Sequence, residues 1–166
     1  QLSWRLASFY GIYFVLIGFV SAFWPLWLTD RGITETDIGI ILASGVFAKF
    51  FVSPSIALLA DRRGDRKRLM IILTFCSAAV FSTFQYVDSF WSILLVTVIF
   101  FLAWSSILPL GESLTILNTR AHGLDYGRLR VWGSVGFIVA TVGGGLILTG
   151  RNVDTIFWLI LASAIS

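Results

Sequence analysis

The chain has 166 residues and a net charge of +3, and 57% of its residues are hydrophobic while only 13% are charged. Soluble domains average about 25% charged residues, so this composition excludes an ordinary water-soluble fold. One cysteine, Cys76, excludes a disulfide framework, and together with the one histidine, His122, it offers too few ligands for a zinc site. The basic residues cluster in loops, so the charge does not indicate nucleic-acid binding, and no metal or cofactor is expected.

Apolar runs of about 20 residues, separated by short polar breaks, predict helices that span a bilayer. The first run is too long for a signal peptide and is expected to be a retained helix. The predicted spans are 6–28, 38–60, 69–87, 90–118, 128–149 and an incomplete 155–166. We therefore predict an all-α integral membrane fold in which residues 1–166 form one six-helix bundle with a truncated sixth helix.

Three local signals refine this prediction. Pro25 is expected to kink or end the first helix. Thr34 or Thr36 is expected to cap the second. Small residues recur every four positions in the fifth span, at Gly136, Ala140 and Gly144, and predict a face on which another helix packs closely.

The loops predict the orientation of the chain. Two basic residues, Arg31 and Arg151, lie on one side of the predicted bundle, and the other loop arginines and lysines lie on the opposite side. Because loops rich in arginine and lysine stay in the cytoplasm, the N-terminus and the loop 61–68 are expected there.

Charged residues inside the spans are expensive in lipid and usually functional. Lys49 lies about 18 Å from the cytoplasmic end of its helix, near the middle of a hydrocarbon core of about 30 Å. It either pairs with Glu112 to hold two helices together, or faces a cavity and meets a solute or ion. Glu112 and Arg130 flank a turn near Gly123–Tyr126, so they are expected to meet across a helical hairpin, either as a structural pair or as ligands of a solute. Four aromatic residues of the first and fourth spans are expected either to line a cavity or, as is more common, only to pack and contact lipid. They are Tyr10, Tyr13, Phe14 and Trp104.

The break A-L-L-A-D-R-R-G-D-R-K-R-L, from Ala57 to Leu69, resembles the signature loop of the major facilitator superfamily, G-x-L-a-D-r-x-G-r-k-x-x-l. The matching positions are Asp61, Arg62, Gly64, Arg66 and Leu69, whereas Ala57 replaces the first glycine and Asp65 replaces a usual basic residue. The resemblance implies that Asp61, Arg62, Gly64 and Arg66 form a conformational latch.

Two further stretches, P-L-G-E-S and G-R-L-R-V-W-G-S-V-G-F, resemble the group of this superfamily that contains lactose permease and the 3-phenylpropionate transporter. By position, Glu112 and Arg130 take the solute-binding role. Phe137 stands where lactose permease has a tryptophan that stacks on the sugar, which argues for another ligand. Lys49 would suit an anionic aromatic acid.

The resemblance implies the N-terminal half of a twelve-helix secondary transporter of a bacterial inner membrane, coupled to protons and working by alternating access. Its partners would be the lipid bilayer, a small solute, a proton and the missing C-terminal half, or a second copy of the chain. Oligosaccharides and nucleosides are alternative solutes. A solute sensor that does not transport is a rival function, whereas a membrane-embedded enzyme lacks a catalytic constellation in this sequence.

Overall fold

The computed structural model describes residues 2–150 and 152–165, apart from the side chains of Asp61, Arg63 and Ile165. This part of the chain is helical throughout. A 3₁₀ turn, Thr83–Tyr86, follows the third helix. The helices are α1 (Leu2–Asp30), α2 (Glu35–Arg63), α3 (Arg66–Ser82), α4 (Phe90–Trp104), α5 (Ile107–His122), α6 (Tyr126–Leu148) and α7 (Asp154–Ile165).

Five segments of the described chain are long and apolar enough to cross a membrane. They are Leu2–Asp30, Glu35–Ala60, Arg66–Tyr86, Phe90–His122 and Tyr126–Leu148, and α7 is a shorter apolar helix. The predicted all-α membrane fold is confirmed. The helices extend beyond most of the predicted bounds because the polar residues that flank each apolar run continue the helix.

Two prolines have different effects on their helices, since one lies within a continuous helix and the other follows a break. Pro25 lies inside α1, which continues to Asp30, so it does not end the helix. The span predicted over 90–118 lies within one apolar segment, Phe90–His122, but a turn at Ser105–Ser106 interrupts it and separates α4 from α5. Pro109 accounts for this break, since it has no N–H to donate to the carbonyl of Ser105 one turn earlier.

Local capping explains where α2 and α6 begin. Thr34 is the residue that caps α2, and its hydroxyl accepts a hydrogen bond of 3.3 Å from the backbone N–H of Asp37. Asp125 caps α6 in the same way through the N–H of Arg128. The predicted turn before α6 is present, and Gly123 supplies the left-handed residue, with φ of 63°.

The chain divides into two compact units. The first unit, Gln1–Gly32 with Thr115–Ser166, contains α1, the end of α5, α6 and α7. Its helices α6 and α7 both pack on α1. At one end, Arg31 lies 4.5 Å above the Trp27 ring and 3.7 Å from the carboxylate of Asp154, which joins α1 to α7.

The second unit, Ile33–Leu114, contains α2, α3, α4 and the first part of α5. Helix α4 packs against both α2 and α3. Phe81 and Phe100, both buried, have ring centroids 5.5 Å apart, and Trp104 stacks on Phe100 at 5.4 Å. This aromatic cluster holds α3 on α4.

Candidate solute-binding site

Helices α1 and α6 approach each other at backbone distance. A Cβ atom added at Gly136 would collide with the carbonyl oxygen of Gly11, and one added at Gly18 would lie 2.8 Å from the Cβ of Ala140. Further along, Gly144 makes room for the rings of Phe19 and Phe23. The predicted stripe of small residues on α6 is therefore confirmed as a packing face, and its partner is α1.

This close packing places Arg130 of α6 on the aromatic face of α1. The guanidinium carbon lies 4.3 Å from the centroid of Phe14 and 5.5 Å from that of Tyr10. Tyr10 is fully buried, whereas Arg130 is half-buried. Cation–π contacts of this kind contribute about 0.5–2 kcal/mol, more where water is excluded. The two rings therefore hold the guanidinium in place while part of its surface stays accessible.

Gly133 sets the space that the guanidinium occupies. A Cβ atom at this position would lie 2.9 Å from Cδ2 of Phe14 and 3.0 Å from Nη1 of Arg130. The missing side chain lets both groups sit against α6 one turn after Arg130. The sequence contained the signal, since a glycine follows the charged residue by three positions, but the prediction did not single it out.

Tyr126 adds a further ring to the aromatic surface around Tyr10. Their ring centroids lie 6.4 Å apart in an edge-to-face arrangement. Tyr126 opens α6, so the turn that starts this helix also places the ring. Of the aromatic residues proposed from the sequence, Tyr10 and Phe14 contact Arg130 and thus belong to its surroundings.

Phe137 lies on α6 two turns after Arg130 and therefore on the same face of the helix. About 36% of its surface is exposed. The carbonyl of Phe137 accepts a hydrogen bond of 3.0 Å from the hydroxyl of Thr141. The first unit thus brings together a guanidinium and an accessible ring along one face of α6.

Lys49 belongs to the second unit and lies at the midpoint of α2, about 21 Å from either end. Its side chain is exposed, and among the described residues it has no hydrogen-bond or ion-pair partner. One turn later on α2, the hydroxyl of Ser53 lies 3.4 Å from that of Ser105, at the break between α4 and α5. Lys49 and this hydroxyl pair are thus polar groups that lie within the apolar segments of the second unit.

Glu112 lies in α5 and is half-buried. It belongs to the second unit, whereas Arg130 belongs to the first. The pairing of Glu112 with Lys49 is not seen, because Lys49 has no ion-pair partner among the described residues. The predicted meeting of Glu112 and Arg130 stays a prediction.

In the loop between α2 and α3, a glycine ends one helix and an aspartate caps the next. Gly64 has a left-handed backbone with φ of 68°, and its N–H donates to the carbonyl of Ala60 at 3.0 Å. Asp65 then caps α3 by accepting a 3.1 Å hydrogen bond from the backbone of Arg68. Arg62 is exposed and Arg66 is half-buried, and the side chain of Asp61 lies outside the described residues.

No group of three or more potential metal ligands occurs within residues 2–150 and 152–165.

The model of the MFS_1 like family matches residues 3–166. The chain belongs to this family of the major facilitator superfamily. It is 34% identical over 154 residues to the probable 3-phenylpropionic acid transporter of Escherichia coli, covering 89% of this chain and 38% of that protein. It is 27% identical to the melibiose permease of Enterobacter cloacae, over 98% of this chain and 40% of that protein. It is 28% identical to the lactose permease of Citrobacter freundii, over 87% of this chain and 36% of that protein.

Membership of the MFS_1 like family confirms the resemblance found in the sequence. The chain spans about two fifths of the length of these relatives, consistent with an N-terminal half. The relatives are permeases and transporters rather than enzymes, which confirms the prediction that the chain is not an enzyme. Five segments capable of spanning a bilayer, together with these relatives, indicate a multi-pass membrane protein.

Proposed function

We propose that this chain is part of a proton-coupled secondary transporter that carries a small aromatic carboxylate across a bacterial inner membrane by alternating access. The N-terminus faces the cytoplasm in this proposal. The coupled proton and the remaining half of the transporter would act together with the residues described here.

The arrangement of Arg130 is the observation that carries the proposal. A guanidinium is always charged and binds a carboxylate at two points. Arg130 lies against Phe14 and Tyr10, which restrict its motion before a ligand arrives. Pre-ordering the side chain lowers the entropy lost on binding, so a carboxylate would bind more tightly than to a free surface arginine.

Aromatic side chains near this guanidinium favour a solute that contains a ring. Phe137 is accessible on the same face of α6, and rings stack or meet edge-to-face with a gain of about 0.5–1.5 kcal/mol. The E. coli relative is a probable 3-phenylpropionic acid transporter, and 3-phenylpropionic acid has a ring at one end and a carboxylate at the other. A site with Arg130 and Phe137 suits that combination.

Glu112 and Lys49 would complete the polar part of the site. In the proposal, Glu112 shares the solute with Arg130, and Lys49 adds a second positive charge for the anion. Lys49 has an exposed ammonium group at the midpoint of α2, which must be hydrated or neutralised at that depth in a membrane. A bound anion would satisfy this requirement.

The loop 61–68 would act as the latch of the alternating-access cycle. Gly64 and Asp65 fix a tight turn between α2 and α3, so the basic residues that follow are held at one position on the membrane surface. A rigid charged turn can bind one conformation of a partner domain and release the other.

An oligosaccharide is the second candidate solute. The melibiose and lactose permeases are relatives of similar identity over most of this chain. Phe137 favours the carboxylate over the sugar, because a phenyl ring lacks the larger indole surface that the resemblance places at this position. A sensor that binds without transport is the third reading.

The test is uptake by the full-length protein in proteoliposomes, with labelled 3-phenylpropionate and melibiose offered separately under an imposed proton gradient. We expect accumulation of 3-phenylpropionate. Arg130→Ala should reduce its uptake at least about thirtyfold, since breaking a desolvated charge pair costs about 2–5 kcal/mol. Glu112→Ala should also reduce uptake.

Arg31→Ala is the matched control, because Arg31 also lies over an aromatic ring of α1 but pairs with Asp154. It should leave uptake close to that of the unchanged protein. Normal uptake by the Arg130 and Glu112 variants would overturn the site. Binding without accumulation would indicate a sensor, and melibiose uptake alone would indicate the sugar.

A further inference from the structure

A groove of about 360 Å³ runs along the first unit, between α1 and α6. Gly11 and Gly136 form its floor, and Ser163 of α7 lies at its wall. Apart from two serines its lining is apolar. Its walls include side chains with large exposed fractions, among them Val139 at 60% and Ile12 at 39%.

The groove lies on a different face of α1 from the Arg130 site. Ser8, Ile12 and Val15 line the groove, whereas Tyr10 and Phe14 point to the guanidinium. From Trp4 to Val15 the groove follows α1 for about 17 Å. One leaflet of a bilayer has a hydrocarbon thickness of about 15 Å, half of the ~30 Å core. The length of the groove is thus close to the hydrocarbon thickness of one leaflet.

Two tryptophans and two arginines mark one end of the groove. Trp4 and Trp132 meet edge-to-face with centroids 6.0 Å apart, and tryptophan prefers the interface between lipid and water. Arg5 follows Trp4, and Arg128 lies one turn before Trp132 on the same face of α6. Both arginine side chains are exposed.

The acidic group closest in sequence to this end is already engaged. Asp125 accepts the backbone N–H of Arg128 at 3.3 Å and so caps α6. The N-terminus of α6 adds a partial positive charge. Two arginines against the one carboxylate of Asp125 leave net positive charge at the end of the groove, beside tryptophans that favour the depth of lipid headgroups.

We propose that the groove binds one anionic phospholipid, with an acyl chain along α1 and the phosphate between Arg5 and Arg128. Basic clusters at the membrane surface next to apolar surfaces between helices are suited to such headgroups. An apolar groove that ends in two arginines and two tryptophans suits a phospholipid better than another protein helix. A helix would match the apolar groove but not the paired arginines beside interfacial tryptophans.

The test uses full-length protein, purified and stripped of lipid in detergent, with native mass spectrometry as the readout. Dioleoyl phosphatidylglycerol should be retained at least about tenfold more tightly than dioleoyl phosphatidylcholine. The double variant Arg5→Gln/Arg128→Gln should lose this preference, because each arginine is expected to strengthen retention of the anionic lipid about fivefold. Ser8→Phe, which fills the groove, should weaken retention of both lipids.

Lys67→Gln with Arg68→Gln is the matched control, because it removes the same charge from exposed residues of the second unit. It should keep the wild-type preference. Equal retention by the Arg5/Arg128 variant and the wild type would overturn the proposal. So would a loss of the same size in the control, or binding of glycerol 1-phosphate as tight as that of the intact lipid. Retention unaffected by Ser8→Phe would show that protein fills the groove instead.

Discussion

Two helix pairs, α1/α6 in the first unit and α2/α4 in the second, are joined in different ways. In α1/α6 the backbone of Gly11 fills the space left by Gly136. In α2/α4 a side chain does so, because the Phe101 ring lies where a Cβ of Gly45 would be, at 2.7 Å from Cδ2. The first contact is between backbone atoms and the second includes a rotatable ring.

The difference bears on function. Backbone atoms cannot move without moving a helix, so we expect α1/α6 to be a rigid frame at Gly11 and Gly136, although its contacts at Gly133 and Gly144 also include rings. The α2/α4 pair lies beside the break at Ser105–Ser106 and meets there through two hydroxyls 3.4 Å apart. We expect the contact in the first unit to be the more rigid of the two and the contact in the second unit to be the more adjustable.

The largest effect is expected for Gly136→Ala. The new Cβ would overlap the Gly11 carbonyl, and the collision can be relieved only by separating α1 from α6. Overpacking typically costs about 1–3 kcal/mol, and a backbone collision belongs at the upper end. Unfolding of the full-length protein in mixed micelles, followed by circular dichroism, measures the loss.

Gly143→Ala is its control, because a Cβ there has nothing within 4 Å. It should change stability by no more than about 0.5 kcal/mol. Equal losses in the two variants would show that α1/α6 is not a rigid frame.

The sequence predicted most of this fold for a clear physical reason. Lipid requires each spanning segment to satisfy its own backbone hydrogen bonds, so apolar runs of sufficient length are helices. The stripe from Gly136 to Gly144 was identified because close packing requires small residues at helical spacing. The break at Ser105–Ser106 was missed. Pro109 lay inside an apolar run, and hydropathy alone does not register a missing hydrogen-bond donor.

The site could be predicted only in part. Arg130 was identified from its charge inside a span, since intramembrane charges are rare. Its contact with Phe14 and the space at Gly133 depend on which face of α1 meets α6, and the spacing of residues on one helix does not specify this. Pairing of Glu112 with Arg130 depends on the arrangement of residues from both units and stays a prediction.

A smaller loss, of about 1 kcal/mol, is expected for Gly45→Ala. The Phe101 ring would have to rotate, and it is restrained by Trp104, whose ring centroid lies 5.5 Å away. Phe101→Leu should reduce the penalty, which a double-mutant cycle on unfolding free energies measures. The absence of any rescue would mean that the backbone, as in α1/α6, sets this contact.

The smallest effect is expected for Ser53→Ala. The 3.4 Å distance between the hydroxyls of Ser53 and Ser105 is long for a hydrogen bond between oxygens. Hydrogen bonds between membrane helices average about 0.6 kcal/mol, and this one should contribute no more. A cycle with Ser105→Ala gives the coupling energy, and Thr74→Ala, which removes a hydroxyl bonded within its own helix, is the control. A coupling above about 1.5 kcal/mol would make this pair a rigid joint, and α2/α4 would then be as fixed as α1/α6. A weak coupling would instead mean that the two hydroxyls can exchange hydrogen-bond partners at little cost.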